Sequence, residues 1–216
     1  MYLIIVGAGE IGEKLLNIAL KNKDDVIVIE KDKAKCDEVS NKYDAIVLNS
    51  DAREKETLIE AGADHADALV TTADDATNLL VVNLAKALGI KSVVSVVNNE
   101  ENESMFVEKG VNIVGNPTAL TAEYLYRAIS RPMVKDFMTL GNKAEIFKIV
   151  IPKESKVVDK IVGEIKLPKG VNIIAIERNS EIIIPSPESV FKAGDTVTIL
   201  ARKDKIDKTM GVLFEK

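Results

Sequence analysis

Short apolar runs separated by amphipathic segments dominate the first 130 residues. The runs are Leu3–Val6, Val26–Ile29, Ala45–Leu48, Ala68–Val70, Val93–Val97 and Val111–Val114, each of strand length. Between them, spacings of three and four residues predict helices over 10–22, 33–42, 54–61, 75–88, 101–109 and 118–130. Gly62, Gly89 and Gly110 each follow one of these helical stretches, where a left-handed C-terminal cap is wanted. Strands alternating with helices pair in parallel through right-handed crossovers, so residues 1–131 predict a Rossmann-like doubly wound parallel sheet of the α/β class.

The pattern changes at Arg131-Pro132. Residues 132–143 hold a polar stretch with Gly141 and Asn142 and read as a linker. From 144 to 216, strands prevail. Glu145–Ile151 alternates, a short helix is expected over Val157–Glu164, and Asn179-Ser180 has the composition of a hairpin tip between two strands. Ala193-Gly194-Asp195 turns into Thr196–Ala201, and an amphipathic helix closes the chain over Lys203–Phe214. The second part is therefore expected to be a small α+β domain.

Composition narrows the function classes. The 216 residues are 46% hydrophobic and 29% charged, enough apolar material for a core and a soluble surface. No apolar run reaches the roughly 18 residues of a spanning helix, and the first residues lack a signal-peptide pattern, so a cytoplasmic protein is expected. The net charge of −5, with Lys and Arg dispersed, argues against nucleic acid as the main partner. A single cysteine, Cys36, excludes an intrachain disulfide and a multi-thiolate metal centre, and no metal site is expected.

The candidate chemistry sits at the start. Strand one runs into Gly7-Ala8-Gly9-Glu10-Ile11-Gly12, and a helix follows. Gly7 permits the tight turn, Gly9 lets the backbone approach a pyrophosphate, and Gly12 lets the helix lie against the sheet. The free N–H groups and dipole of that helix then favour phosphate. Glu30 ends strand two, where a carboxylate accepts both ribose hydroxyls and repels a 2′-phosphate, so NAD or NADH is expected ahead of NADP. Lys31 and Lys33 weaken that exclusion. Glu10 has two readings: it opposes the extra charge of a triphosphate, or it points to solvent. The strand ends supply further groups. Asp51 and Ala52, after strand three, are placed on the adenine side. Thr71, Thr72, Asp75 and Asn78, around the end of strand four, are placed on the nicotinamide side. Thr72 or Asp74 also reads as a helix N-cap.

Tools for catalysis are scarce. His65 is the only histidine and lies in the loop before strand four, away from the cradle's mouth; no GxSxG, HExxH or paired-cysteine spacing is present. No catalytic residue is assigned. The main expectation is a non-enzymatic sensor, and the alternative is an NAD-dependent oxidoreductase of unknown substrate.

These residues resemble the RCK family, the regulators of potassium conductance, and in particular TrkA-type potassium-uptake subunits. MYLIIVGAGEIG with VIVIEKD, LIEAGADHADALV, and Asp75-Ala76-Thr77-Asn78 carry the resemblance in the first domain, and EIFKIVIPKESKVVDKIVGEIKLPKGVNIIAIERNSEIIIPSPESVFKAGDTVTILA carries it in the second. The resemblance implies a cytosolic regulator docked on a membrane potassium-translocating subunit, with no insertion of its own. It implies NAD(H) held at Gly7, Ala8, Gly9, Glu10, Ile11 and Glu30, with ADP or ATP ranked behind, as some relatives bind these. Where many relatives carry an arginine, this chain has Val96, which removes a charge contact to the ligand. Helix 118–130 is apolar on more than one side through Leu120, Tyr124, Leu125, Tyr126 and Ile129. Such a helix is either a core helix or the interface of a homo-oligomer, a dimer or higher; the resemblance favours the interface.

Overall fold

The computed structural model describes residues 1–141 and 143–214, with two compact units that divide between Glu123 and Tyr124. Asn142 of the expected linker, and Glu215 and Lys216 of the expected second domain, lie outside the described residues.

In the first unit, six parallel strands take the order β3-β2-β1-β4-β5-β6. They are β1 (Tyr2–Val6), β2 (Asp25–Glu30), β3 (Ile46–Asn49), β4 (Ala68–Thr71), β5 (Ser92–Val96) and β6 (Asn112–Val114). The helices between them are α1 (Glu10–Lys21), α2 (Lys33–Lys42), α3 (Lys55–Glu60), α4 (Asp75–Ala87) and α5 (Glu103–Val107), with α6 (Pro117–Ser130) last. The expected helix 101–109 is split: one 3₁₀ turn, Glu100–Asn102, precedes α5. Strand β1 is buried on both faces, which explains its unbroken apolar sequence. Leu3 and Ile5 pack with Leu16, Val28 and Val39 on one side; Ile4 and Val6 pack with Leu58, Leu69, Val81 and Phe106 on the other. The chain winds outward from β1 to β3, then crosses back to β4 on the opposite side of β1. Strand order reverses at the β1/β4 pair, and a crevice opens beyond the carboxyl ends of these strands.

In the second unit, five antiparallel strands take the order β10-β9-β11-β8-β7. They are β7 (Val134–Leu140), β8 (Ala144–Val150), β9 (Val171–Arg178), β10 (Glu181–Ile183) and β11 (Thr196–Arg202), with α7 (Ile206–Phe214) following. The core holds Phe147, Ile149, Ile176, Phe191, Val197, Ile199 and Leu213. Asn179 and Ser180 both have positive φ, 51° and 65°, as a two-residue hairpin with the twist of its strands requires.

Three expectations change here. The stretch 132–143 is not a linker: Val134–Leu140 forms an edge strand, with Phe137 opposite Phe147 and Met138 opposite Ile146. An edge strand needs only one buried face, so Val134 and Phe137 suffice while the rest of the strand stays exposed. The units divide inside α6 rather than at Arg131. Tyr124 packs on Phe137 with ring centroids 4.4 Å apart, the Arg127 guanidinium lies 3.8 Å from the same ring's centre, and Arg127 also pairs with Glu145. Finally, 157–164 is not an α-helix. Val162 N–H donates to the Ser189 carbonyl, Gly163 N–H to that of Pro187, and Phe191 N–H to that of Lys160, leaving one 3₁₀ turn at Val162–Glu164. Pairing with 187–191 takes the donors that a helix would use.

No residue of α6 is buried, and Leu125, Tyr126 and Ile129 are 64%, 70% and 81% exposed. The core-helix reading of 118–130 therefore fails within a single chain. Among the described residues, no helix is long and apolar enough to cross a membrane.

Candidate functional site

A cleft of about 220 Å³ lies at the ends of β1, β2 and β4. Its floor begins with Val6, Gly7 and Gly9. Gly7 has φ +94°, and a side chain there would meet the Thr72 hydroxyl. A Cβ on Gly12 would overlap the Gly7 carbonyl oxygen, so the close fit of α1 beneath the turn demands glycine. Gly9 is different. It is the N-cap of α1 at φ −68° with nothing within 4 Å of a built Cβ, so the space it leaves open is the approach to the cleft. The N–H groups of the first turn of a helix have no intrahelical partner. Together these features form an anion cradle.

Glu30 is the organising side chain, only 8% exposed. One carboxylate oxygen accepts the Ala8 N–H and the other the Asp32 N–H, both at 2.8 Å. It therefore ties the glycine turn to the end of β2 while still lining the cleft. Beneath it, the buried Cys36 thiol donates to the Glu30 carbonyl at 3.1 Å; burial, with the Glu30 charge, pushes that thiol up.

The β3 and β4 ends complete the walls. Asp51, Ala52 and Arg53 line the cleft. Arg53 Nε lies 3.0 Å from both Asp51 oxygens, and its backbone N–H also donates to Asp51 at 3.0 Å. The Arg53 side-chain and backbone donors hold the Asp51 carboxyl at about 2. Thr72 lines the cleft, and its hydroxyl lies 3.1 and 3.2 Å from the Val6 and Gly7 carbonyls. Asp74 caps α4, accepting the Thr77 N–H at 3.0 Å and its hydroxyl at 2.8 Å, and these two donors lower its carboxyl. The cap reading thus holds for Asp74 and not for Thr72, and both also face the cleft.

The other expected contacts do not line the cleft. Ala8 is buried with its N–H committed to Glu30. Ile11 is 41% exposed and outside the lining. The Glu10 side chain is 86% exposed, with Lys14 at 3.9 Å, which fits its solvent-facing reading. Thr71, Asn78 and Val96 form a buried hub. Asn78 Oδ1 accepts from the Thr71 hydroxyl and the Ala73 N–H, while Nδ2 donates to the carbonyls of Ala73 and Val96. Asp75 clamps the segment after β5, accepting the N–H groups of Asn98 and Asn99 and the Asn102 amide. Burial pushes its carboxyl up, but these donors together bring it below the ordinary value. His65 stacks on Tyr2 with ring centroids 4.5 Å apart, in the loop before β4 and at the opposite strand ends from the cleft. Sequence reasoning missed Lys35 and Arg53 in the lining. The spacing Asp51-x-Arg53 was the available signal, since an arginine two residues from an aspartate on a turn can fold back onto it.

The geometry defines a Rossmann-type nucleotide-binding protein: a doubly wound sheet, a glycine turn feeding a helix N-terminus, and a carboxylate at the end of β2. Comparison with known proteins is specific. The TrkA-N domain family matches residues 3–117 and the TrkA-C domain family residues 146–213. A Trk system potassium uptake protein TrkA homolog from Methanothermobacter thermautotrophicus is 34% identical over 208 residues, covering 95% of this chain and 96% of that protein. A homolog from Archaeoglobus fulgidus is 33% identical, covering 98% of this chain but 50% of that protein, so the chain spans about half its length. Among solved structures, the GsuK channel bound to NAD superimposes with a TM-score of 0.69 at 15% identity, over 99% of this chain and 39% of that one. GsuK bound to ADP does so with a TM-score of 0.53 at 25% identity, over 61% and 34%. The chain belongs to the TrkA family of potassium-uptake proteins.

Proposed function

We propose that the chain is a cytoplasmic regulatory subunit that binds NAD or NADH in the cleft and controls a membrane potassium-translocating partner, without catalysing a reaction itself. The observation that carries the ligand reading is Glu30, held on the Ala8 and Asp32 N–H groups between the glycine turn and the ribose side of the cleft. A carboxylate so oriented accepts ribose hydroxyls while the α1 N-terminus takes the pyrophosphate. The names of the relatives, and the NAD-bound and ADP-bound channel structures that share the fold, support the same assignment. ADP and ATP are the secondary candidates.

The lining supports a non-catalytic role. Asp51 is fixed in its ionised form by Arg53, Asp74 is committed to its helix cap, and the only histidine lies at the far strand ends. No such group is poised to exchange a proton with a bound nicotinamide.

In the proposed switch, the exposed apolar face of α6 pairs with a second copy, and occupancy changes the angle between paired nucleotide domains. A ligand shifts such an equilibrium only by its differential affinity for the two states. Going from 1:99 to 99:1 takes about 5.5 kcal/mol. One helix-terminus charge contact contributes about 0.3–2 kcal/mol, so several sites must act together. Calorimetric titration of the folded protein with NAD, NADH, ADP and ATP tests the ligand reading, and solution scattering with and without ligand tests the switch. Absence of heat with all four nucleotides refutes the first; superimposable scattering profiles refute the second.

A further inference from the structure

The cleft is lined by three carboxylates and three cations, and the two sets are not equally engaged. Every carboxylate is held by protein donors: Glu30 by two backbone N–H groups, Asp51 by Arg53, and Asp74 by Thr77. Of the cations, Arg53 is paired with Asp51. Lys31 and Lys35 line the same cleft, are exposed, and among the described residues have no carboxylate within ion-pair distance.

Both lysines belong to the ribose side. Lys31 directly follows Glu30, and Lys35 lies in the first turn of α2, beyond the Asp32 cap. Lys31 lines the cleft together with Asp51 and Asp74. A carboxylate at the end of β2 ordinarily excludes a 2′-phosphate, whereas a cation beside it accommodates one. Here each carboxylate oxygen already accepts one backbone N–H, and two ammonium groups without an ion-pair partner among the described residues line the cleft next to it. Because both are exposed on flexible stems, neither has to be broken from an ion-pair partner to reach a phosphate.

We propose that the cleft accepts a 2′-phosphorylated adenine dinucleotide as well as the unphosphorylated one, with Lys31 and Lys35 as the residues that determine this breadth. The inference rests on the assignment of the cleft as a dinucleotide site and extends it to the adenosine ribose. Glu30 retains lone pairs for the 3′-hydroxyl while the two ammonium groups take the 2′-phosphate.

The test is calorimetric titration of the full chain with NADH and NADPH, for the wild type and for a Lys31→Ala/Lys35→Ala variant. Both positions are exposed, and circular dichroism checks that the variant is folded. The wild type is expected to bind NADPH within about thirtyfold of NADH. The variant is expected to lose at least tenfold more affinity for NADPH than for NADH. Wild-type binding of NADH with NADPH weaker than thirtyfold overturns the inference and leaves the dinucleotide assignment standing. Equal losses for the two ligands in the variant overturn it as well, since the lysines would then act as a general attraction for phosphate. Absence of binding by either ligand to the wild type removes the dinucleotide assignment and this inference together.

Discussion

Gly9→Asp separates binding from folding in a way that follows directly from the turn. Gly9 is the N-cap of α1, at φ −68°, a conformation open to any L-residue, and a Cβ there meets nothing within 4 Å. Aspartate is among the preferred N-cap residues, accepting from N–H groups of the first helical turn. The substitution therefore leaves stability unchanged or raised by a few tenths of a kcal/mol, about what an N-cap Asp gains over Gly. Those same N–H groups are the ones offered to a pyrophosphate. The new carboxylate occupies them and stands about 4 Å from a bound phosphate, where one pair of like charges at an effective dielectric constant near 20 costs about 4 kcal/mol. That is close to a thousandfold in affinity. The assay is NADH titration beside a thermal melt. Gly12→Ala should behave in the opposite sense: its Cβ overlaps the Gly7 carbonyl oxygen, so the turn must shift and the melting temperature must fall. A folded Gly9→Asp protein that binds NADH within tenfold of wild type would refute the placement of phosphate at the α1 N-terminus.

Three further outcomes are expected. Arg127→Met leaves Glu145 buried without its main partner and destabilises the second unit by about 3 kcal/mol in denaturant melts. The Glu145 carboxyl lies below its ordinary value because Arg127 donates to it, so the pair stabilises fully above about pH 4.5 and progressively less as pH falls; a wild-type-to-variant gap that does not narrow in acid contradicts this. Asp51 should titrate by carboxyl NMR at about 2, contributing stability that is present above the ordinary aspartate range and lost as pH falls toward 2, and Arg53→Ala should return it toward its ordinary value. Asn78→Ala should cost about 1–3 kcal/mol for each buried group left unpaired, and a loss under about 0.5 kcal/mol in the first unit's melt would show that the hub relaxes without penalty.

The glycine turn, the order of strands and helices, Glu30, Asp51 and the hairpin at Asn179-Ser180 were legible because each is local. A turn that needs positive φ demands particular residues, and a two-sided parallel strand must be apolar throughout. The resemblance quoted from both halves of the chain agrees with the family match over residues 3–117 and 146–213. Beyond this, the sequence placed Thr71, Asp75 and Asn78 at the right strand ends without revealing which way they face. Thr72 and Asp74 line the cleft, whereas Thr71 and Asn78 turn inward. The side that each takes depends on the acceptor offered by β5 and the N–H donors offered by the segment after it, which lie far away in sequence.

By itself, then, the order of residues determined a dinucleotide-type sheet followed by a second, strand-rich domain, since backbone geometry and side-chain periodicity act over a few residues. Only the tertiary structure decided that 134–140 is an edge strand, that 157–164 surrenders its helix to pairing with 187–191, and that Glu30 is held by Ala8 while Lys31 and Lys35 line the same cleft. Those outcomes turn on which hydrogen-bond donors and charges meet across long stretches of chain, and no local pattern records such a meeting.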